Sequence, residues 1–178
     1  LSPQPASNDA NPPLDLIFQQ IAELEPTYEP TAPLLQVVKP EMSDKVCLVL
    51  DLDETLVHSS FTPIDGADFE IPLNMQGETH TVFVKKRPGV DHFLAVVAEW
   101  FEVVVFTASL ALYANPVMDL LDPNRVVHER LYREHCVLIG GCYVKDIAKL
   151  GRDLKRTLII DNSPLSYALQ PENSIPID

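Results

Sequence analysis

Basic residues are scarce in this chain: its 178 residues include 13 lysines and arginines against 26 aspartates and glutamates, a formal net charge of −13 at pH 7. Direct binding to a nucleic-acid backbone relies on clustered lysine and arginine side chains, which neutralise its phosphates. The composition therefore argues against a nucleic acid as the direct partner. A local basic patch remains compatible with binding a phosphorylated peptide.

Cysteines and long apolar runs are also few. The three cysteines have neither the even number of a disulfide framework nor the spacing of a zinc site, so we expect free thiols, which suit a reducing compartment. No apolar run approaches the roughly 18 residues that a membrane-spanning helix requires. No signal-peptide pattern occurs near the N-terminus, and because residue 1 is not a methionine, targeting stays undecided.

Residues 1–45 differ in composition from the rest of the chain. They contain eight of the 16 prolines, and their seven acidic residues against two lysines give a net charge of −5, which leaves −8 for residues 46–178. Apolar residues at helical spacing over 14–24 predict one helix there, which we expect to dock on the core rather than bind a partner. We therefore predict an acidic, proline-rich N-terminal segment, 1–45, followed by one domain, 46–178.

The strongest local pattern begins at residue 46. Val46–Leu50 is a run of five apolar residues, which predicts a strand buried on both faces, as in a parallel sheet. Asp51 and Asp53 follow at positions i and i+2, so both side chains point the same way from an extended chain. Two neighbouring carboxylates repel each other, and a bound divalent cation would compensate. The alternative is that they only open a loop and cap a helix.

A β-hairpin is predicted after this strand. Apolar residues alternate with polar ones over 68–75 and 79–85, on either side of a turn that contains Gly77. Pro72 favours an edge position, because proline cannot donate a hydrogen bond to a neighbouring strand. The hairpin would be an insertion over the mouth of any site at the end of the first strand.

The remaining pattern alternates strands with helices. Phe101–Phe106 and Thr157–Ile160 are apolar runs like Val46–Leu50, whereas 90–100 and 110–121 have apolar residues at helical spacing. Three such strands separated by helices predict an α/β fold with a mostly parallel sheet flanked by helices and a β-hairpin insertion after the first strand.

Polar side chains follow each of the three predicted strands. They are Asp51 and Asp53 after the first, Thr107 after the second, and Asp161 and Asn162 after the third. Open α/β sheets bind ligands at the carboxyl ends of their strands, so these side chains are expected to form one site.

Each of the weaker signals also has a purely structural interpretation. Ser109 is a plausible N-cap for the helix that follows it. Residues 161–164 can be read as a turn in which Pro164 opens a last helix. Lys145, taken alone, is one lysine among several that would be solvated.

The sequence around these residues resembles a known family. Residues 51–57 (DLDETLV) are similar to the first motif of the haloacid-dehalogenase-like phosphatases, and the extension through Ser59 resembles the small phosphatases of the RNA polymerase II C-terminal domain. Stretches that resemble the family's second, third and fourth motifs occur at 105–110, 143–146 and 159–164. The family continues into a further helical segment after the last motif, so either the C-terminal end is truncated here or the domain folds without that segment.

The resemblance implies a role for each candidate residue. It implies Asp51 as nucleophile and Asp53 as general acid and base, and carboxylates can perform both kinds of step. Thr107 and Lys145 match the phosphate-binding residues of the family. The implied cofactor is Mg²⁺, with ligands from Asp51, Asp53 through its carbonyl and Asn162, and with Asp161 close by.

The activity implied by the resemblance is Mg²⁺-dependent removal of phosphate from phosphoserine in proteins, including the proline-rich heptads of RNA polymerase II, in the nucleus or cytoplasm. The family reads a substrate proline through a groove beside the site. The residues expected there, for which ordinary packing under the hairpin is the alternative, are Phe61, Leu110 and Tyr113, with Leu73, Met75 and Val82 on the other wall and Arg133 assisting.

Two other functions compete with this one. A phosphatase of the same superfamily that acts on a small metabolite would share the chemistry, but the hairpin insertion favours a site open to proteins. A catalytically inactive adaptor that binds phosphopeptides is the other alternative, and such relatives typically lose the aspartates of the first motif, which are present here as Asp51 and Asp53.

Overall fold

A parallel sheet of five strands forms the centre of the domain. The computed structural model describes residues 32–75 and 77–178, so the helix predicted at 14–24 lies outside the described residues. Its strands are β1 (Val46–Leu50), β5 (Phe101–Phe106), β6 (Glu129–Leu131), β9 (Thr157–Asp161) and β10 (Ser174–Pro176). Their order across the sheet is β10-β9-β1-β5-β6, and all four pairings are parallel.

Strand β1 occupies the middle of this sheet because its residues are apolar on both faces. Leu50 pairs with Val105 on one side and Ile160 on the other, and it is fully buried. Leu48 and Leu50 contribute to the core on one face of the sheet, and Val49 contributes to the core on the opposite face. The predicted α/β fold with a mostly parallel sheet is therefore present.

Within residues 32–75 and 77–178, two α-helices flank the sheet: α1 (Val90–Trp100) and α2 (Ala111–Leu121). The first buries Val90, Leu94 and Val97, which recur at helical spacing. Neither helix is long and apolar enough to cross a bilayer, and the same holds for every helix in the part of the chain that the structure describes.

Two predicted helix starts are wrong. Helix α2 has Leu110 at its N-cap and no side-chain cap, so Ser109 does not cap it. No helix begins at Pro164, because residues 164–169 form successive turns. The Ser166 carbonyl accepts a hydrogen bond from the Lys145 N–H at 2.7 Å, so it is used outside the segment instead of in a helical i to i+4 bond.

The predicted hairpin is present as β3 (Phe69–Met75) and β4 (Glu78–Lys86), and Pro72 lies on the edge strand as expected. A third strand, β2 (Val57–Ser60), pairs antiparallel with β4, so the insertion is a three-stranded sheet. We call β2, β3 and β4 together the insertion sheet. A separate hairpin consists of β7 (Val137–Ile139) and β8 (Cys142–Val144).

Residues 33–36 pack against the domain at the end of the sheet where its strands begin. Leu35 is buried, and the Leu34 N–H donates to the Lys149 carbonyl at 2.9 Å. A Cβ on Gly151, whose φ is +74°, would lie 2.5 Å from the Pro33 Cβ. The final part of the proline-rich segment therefore docks on the core, whereas the division of the chain at residue 45 stays a prediction.

A buried ion pair holds this docked segment in place. Glu102, at the start of β5, accepts hydrogen bonds from Arg152 Nε at 2.8 Å and from Nη2 at 2.7 Å. The same Nη2 donates to the Gln36 carbonyl at 3.0 Å. The guanidinium therefore joins the sheet to residues 33–36.

We predict that Glu102→Gln lowers the free energy of unfolding by about 2 kcal/mol, because the Arg152 guanidinium, whose side chain is only 10% exposed, loses its countercharge. Urea denaturation of the purified protein measures this change. The matched control is Asp91→Asn, which removes an exposed ion pair with Lys86 and should cost less than about 1 kcal/mol. Equal costs for the two variants would contradict the prediction.

Candidate active site

The carboxyl ends of β1, β5 and β9 meet at a cavity of about 250 Å³. The structure brings the predicted catalytic, phosphate-binding and metal-binding residues together there, although the sequence separates the first from the last by more than a hundred positions. The cavity is lined by Asp51, Asp53, Thr107, Lys145, Asp161 and Asn162, and also by Ala108, Ser109, Arg133 and Ser166.

Hydrogen bonds hold both the main chain and the side chain of Asp51, the residue that follows β1. Its N–H donates to the Ile160 carbonyl of β9 at 3.0 Å, which continues the sheet by one residue. Its carboxylate accepts from Thr55 Oγ1 at 2.9 Å and from Lys145 Nζ at 2.5 Å. A carboxylate held in this way keeps one orientation, as a nucleophile requires.

Lys145 lies between two carboxylates in the interior. It is 1% exposed, and its Nζ lies 2.5 Å from Asp51 Oδ1 and 2.6 Å from Asp161 Oδ2. Burial alone would lower the pKa of Lys145, but the two carboxylates outweigh it and raise this pKa above its usual value. Lys145 is therefore a buried cation of the site and not a solvated lysine.

Asp53 is held by two hydroxyl groups. Tyr113 donates to Oδ1 at 2.5 Å, and Ser109 donates to Oδ2 at 2.7 Å. Burial raises the pKa of Asp53, and the two hydrogen bonds offset only part of this shift. Burial, followed by the Asp53 charge, also raises the pKa of Tyr113, so its hydroxyl stays protonated and donates. Ser109, interpreted from the sequence as a helix cap, instead contacts a candidate catalytic residue.

The other strand ends supply the remaining predicted groups. Thr107 is buried after β5, and its Oγ1 accepts from the Ser109 N–H at 3.0 Å, which leaves its own O–H free to donate. Asp161 is buried as the last residue of β9, and its Oδ1 accepts from the Ser163 N–H at 2.8 Å. Asn162, the next residue, is exposed at the mouth of the cavity.

The carboxylates that line this cavity can hold a hard divalent cation only if amide, backbone or water oxygens supply the remaining ligands. In residues 32–75 and 77–178, no three or more His, Cys, Asp or Glu side chains are grouped as a metal site. Asp51, Asp53 and Asn162 nevertheless offer oxygen ligands to one cavity, which suits a cation that retains several waters. When ionised, the three aspartates that line the cavity outnumber its two cations, Lys145 and Arg133, so an added cation would help an anionic phosphate to bind.

A second cavity of about 280 Å³ adjoins the first, and Asp53, Ser109 and Arg133 line both. Phe61 and Leu110 are 60% and 51% exposed, so they are not packed under the insertion sheet. We call this second cavity the groove. All residues predicted for it line it: Phe61, Leu73, Met75, Val82, Leu110, Tyr113 and Arg133, joined by Ser59 and Ser60.

Arg133 connects the two cavities. Its Nε donates to the Ala108 carbonyl at 2.6 Å, and its guanidinium lies 4.9 Å from the centre of the Tyr143 ring. These contacts leave other N–H groups of the guanidinium available to a ligand in either cavity.

Several hydroxyl residues of the site were missed by sequence reasoning, Ser59, Ser109 and Ser166 among them. Ser59 lies within the extended first motif, so it could have been proposed as a site residue from that motif. Ser109 was assigned to a helix cap because its local sequence suits one. Ser166 lines the cavity through the turns after Pro164, and no local pattern indicates it.

We predict that Lys145→Met lowers the free energy of unfolding by about 3–5 kcal/mol, because Asp51 and Asp161 lose the cation between them while remaining buried. Chemical denaturation measures the loss. Lys149→Met is the matched control, since Lys149 is exposed four residues further on and its removal should cost less than about 0.5 kcal/mol. A Lys145→Met protein as stable as wild type would contradict the assignment of Lys145 as the cation that offsets the charges of Asp51 and Asp161.

Comparison with known proteins identifies the family. Residues 46–178 match the NLI interacting factor-like phosphatase family. The chain is 60% identical over 145 residues to CTD small phosphatase-like protein 1 of Caenorhabditis elegans, covering 82% of this chain and 30% of that protein. It is 58% identical over 144 residues to carboxy-terminal domain RNA polymerase II polypeptide A small phosphatase 2 of Homo sapiens, covering 81% and 53% respectively. The chain therefore spans about a third to a half of the length of these relatives.

A solved structure with the same fold is that of the RNA polymerase II CTD phosphatase Fcp1 of fission yeast. Its TM-score is 0.62 at 22% sequence identity, over 75% of this chain and 41% of that one. At this identity the likeness shows the fold alone, which is the haloacid-dehalogenase-like fold predicted from the sequence. The match over residues 46–178 confirms the predicted relationship, and the chain belongs to the NLI interacting factor-like phosphatase family.

Proposed function

We propose that this domain is a Mg²⁺-dependent protein serine/threonine phosphatase that works through an aspartyl-phosphate on Asp51. The observation that carries the proposal is the buried Asp51 carboxylate, oriented by Thr55 and Lys145 and lying in one cavity with Asp53. Curated relatives at 58–60% identity are named as small phosphatases or as similar to them, which supports the same activity here.

The reaction proceeds in two steps. An Asp51 oxygen attacks phosphorus, the bond from phosphorus to the serine oxygen breaks, and Asp53 gives its proton to that oxygen. Water then attacks the phosphorus, Asp53 takes a proton from this water, and the bond to Asp51 breaks to release inorganic phosphate. The raised pKa of Asp53, caused mainly by burial, favours the protonated form that the first step requires.

Lys145 and Thr107 bind the transferring phosphoryl group in this proposal. The Lys145 ammonium already touches Asp51, so a phosphoryl oxygen near Asp51 meets a positive charge. The buried Thr107 O–H is available to donate to a second phosphoryl oxygen.

Family membership implies a metal cofactor, and we assign it as Mg²⁺. Asp51, the Asp53 carbonyl and Asn162 would hold it, with Asp161 nearby. When bound, it supplies positive charge to offset the anionic oxygens of the phosphate.

The substrate in this proposal is phosphoserine in a proline-rich segment, such as the C-terminal domain of RNA polymerase II. The groove next to the catalytic cavity exposes Phe61 and Leu110, and apolar grooves of this kind suit extended proline-containing peptides. The three-stranded insertion sheet leaves the groove open, which favours a protein segment over an enclosed small metabolite. The inactive-adaptor alternative is disfavoured by the presence of both Asp51 and Asp53.

The free thiols also bear on where the protein works. Cys47, Cys136 and Cys142 are all free, which suits a reducing compartment. We propose a nuclear or cytoplasmic location, with a phosphorylated protein and not a nucleic acid as the direct partner.

We predict that Asp51→Asn lowers phosphate release from a phosphoserine heptad peptide by on the order of 1,000-fold or more, because an amide cannot form the acyl phosphate. Release should also require Mg²⁺ and stop with EDTA. Phosphate assays with and without metal measure both effects, and Asp65→Asn, an exposed aspartate of the insertion, is the matched control.

Other outcomes would change the proposal. Release from 4-nitrophenyl phosphate but not from the peptide would retain the chemistry and favour a small-metabolite substrate. Folded wild-type protein that releases phosphate from neither substrate would favour the adaptor.

We predict that Leu110→Ala lowers kcat/KM for the phosphopeptide about tenfold, because the peptide loses apolar contact in the groove. The decrease in kcat/KM for 4-nitrophenyl phosphate, which does not extend along the groove, should be much smaller. Leu120→Ala is the matched control: Leu120 lies in α2, whose N-cap is Leu110, and it is 49% exposed, compared with 51% for Leu110, but does not line the groove. Similar losses for both leucines would contradict a peptide-binding role.

A further inference from the structure

The Asp53 carboxylate is the end point of a small hydrogen-bond network built from three parts of the fold. Ser59 lies in β2 of the insertion sheet, Ser109 lies between β5 and α2, and Tyr113 lies in α2. Tyr113 Oη is 2.5 Å from both Asp53 Oδ1 and Ser59 Oγ, and Ser109 Oγ is 2.7 Å from Asp53 Oδ2.

The direction of these hydrogen bonds follows from counting protons. The Tyr113 hydroxyl has a single proton, and while Asp53 is ionised this proton is donated to the carboxylate, which then only accepts. Ser59 must therefore donate to Tyr113. The result is a directed chain from Ser59 through Tyr113 to Asp53, which ties the insertion sheet to the carboxylate.

Two donors on two different oxygens fix the orientation of a carboxylate more firmly than one. Ser109 contacts Oδ2 and Tyr113 contacts Oδ1, so rotation of the Asp53 side chain about either of its torsions breaks at least one bond.

We propose that Ser109 and Tyr113, the latter supported by Ser59, are positioning residues that hold the Asp53 carboxyl in place to protonate the leaving serine oxygen. This inference rests on the proposed function, because it assigns Asp53 the role of general acid. It also gives the insertion sheet a part in the chemistry, since Ser59 of β2 orients the tyrosine that orients the acid.

The proposal predicts a loss of activity that depends on the leaving group. A serine alkoxide requires protonation as it departs, phenolate requires it less, and 4-nitrophenolate requires it least. For Tyr113→Phe and for Ser109→Ala, kcat/KM should fall by roughly 10–100-fold on a phosphoserine peptide, less on phenyl phosphate and least on 4-nitrophenyl phosphate. The ratio kcat/KM reports transfer to Asp51 alone, so the later hydrolysis step does not obscure the comparison.

The two aryl phosphates separate positioning from substrate contact. Tyr113 also lines the groove, so a lost peptide contact would weaken only the peptide reaction. Such a contact would leave the ratio of phenyl to 4-nitrophenyl phosphate as in wild type, whereas a misplaced acid lowers it. An unchanged ratio in both variants would overturn the proposal.

A double-mutant cycle tests whether Tyr113 acts through Asp53. If it does, Tyr113→Phe should change kcat/KM for phenyl phosphate, which does not extend along the groove, by less than about threefold in an Asp53→Asn background. A full additional loss there would overturn the proposal. Ser109→Thr, which keeps the hydroxyl, should retain more activity than Ser109→Ala.

The matched control is Tyr132→Phe. Tyr132 is a half-buried tyrosine whose hydroxyl donates to Asn115 and contacts no carboxylate of the site, so this variant should match wild type on all three substrates. An equal loss in Tyr132→Phe and Tyr113→Phe would indicate a general effect of removing a tyrosine hydroxyl and would overturn the proposal. Wild-type protein inactive on every substrate would instead overturn the proposed function, and this inference with it.

Discussion

The buried Lys145 ammonium is the interaction on which the rest of the site depends. Strands β1 and β9 are neighbours, so Asp51 and Asp161 at their ends lie close together inside the protein. Without a cation between them, two buried carboxylates would repel each other and lose hydration without compensation. Lys145 follows β8, and its own N–H donates to the Ser166 carbonyl. The β7–β8 hairpin and the turns after Pro164 are therefore held against the sheet by the same residue that neutralises the site.

Those parts of the fold that depend on local pattern were predictable. Val46–Leu50, Phe101–Phe106 and Thr157–Ile160 are apolar runs that could be recognised as buried strands without knowing their partners. Because parallel strands end at the same edge, the polar residues after each run could be placed in one site. The short strands β2 and β10 have no such pattern, since their residues become strands only by pairing with β4 and β9.

The parts that could not be predicted depend on contacts between distant residues. Ser109 precedes a helix and has a typical capping side chain, yet its hydroxyl is used by Asp53, 56 residues earlier in the sequence. Tyr113 was expected only as a wall of the groove, and its bond to Asp53 requires the register of α2 against the first motif. The preference of the local sequence is overridden in such cases, because a buried carboxylate without hydrogen-bond donors costs more free energy than a missing helix cap.

The chain and its proposed substrate are both negatively charged, so the affinity for a peptide depends on the groove. The chain has a net charge of −13, so a phosphorylated peptide is repelled at long range, within the limits set by screening over roughly 8 Å at physiological salt. The cations that line the catalytic cavity, Lys145 and Arg133, act only once the phosphate has entered. Lys145 is in addition engaged with two carboxylates, so little of its charge reaches outside the cavity. Affinity for a peptide must therefore come largely from uncharged contacts, and exposed Phe61 and Leu110 beside the cavity provide the apolar surface for them.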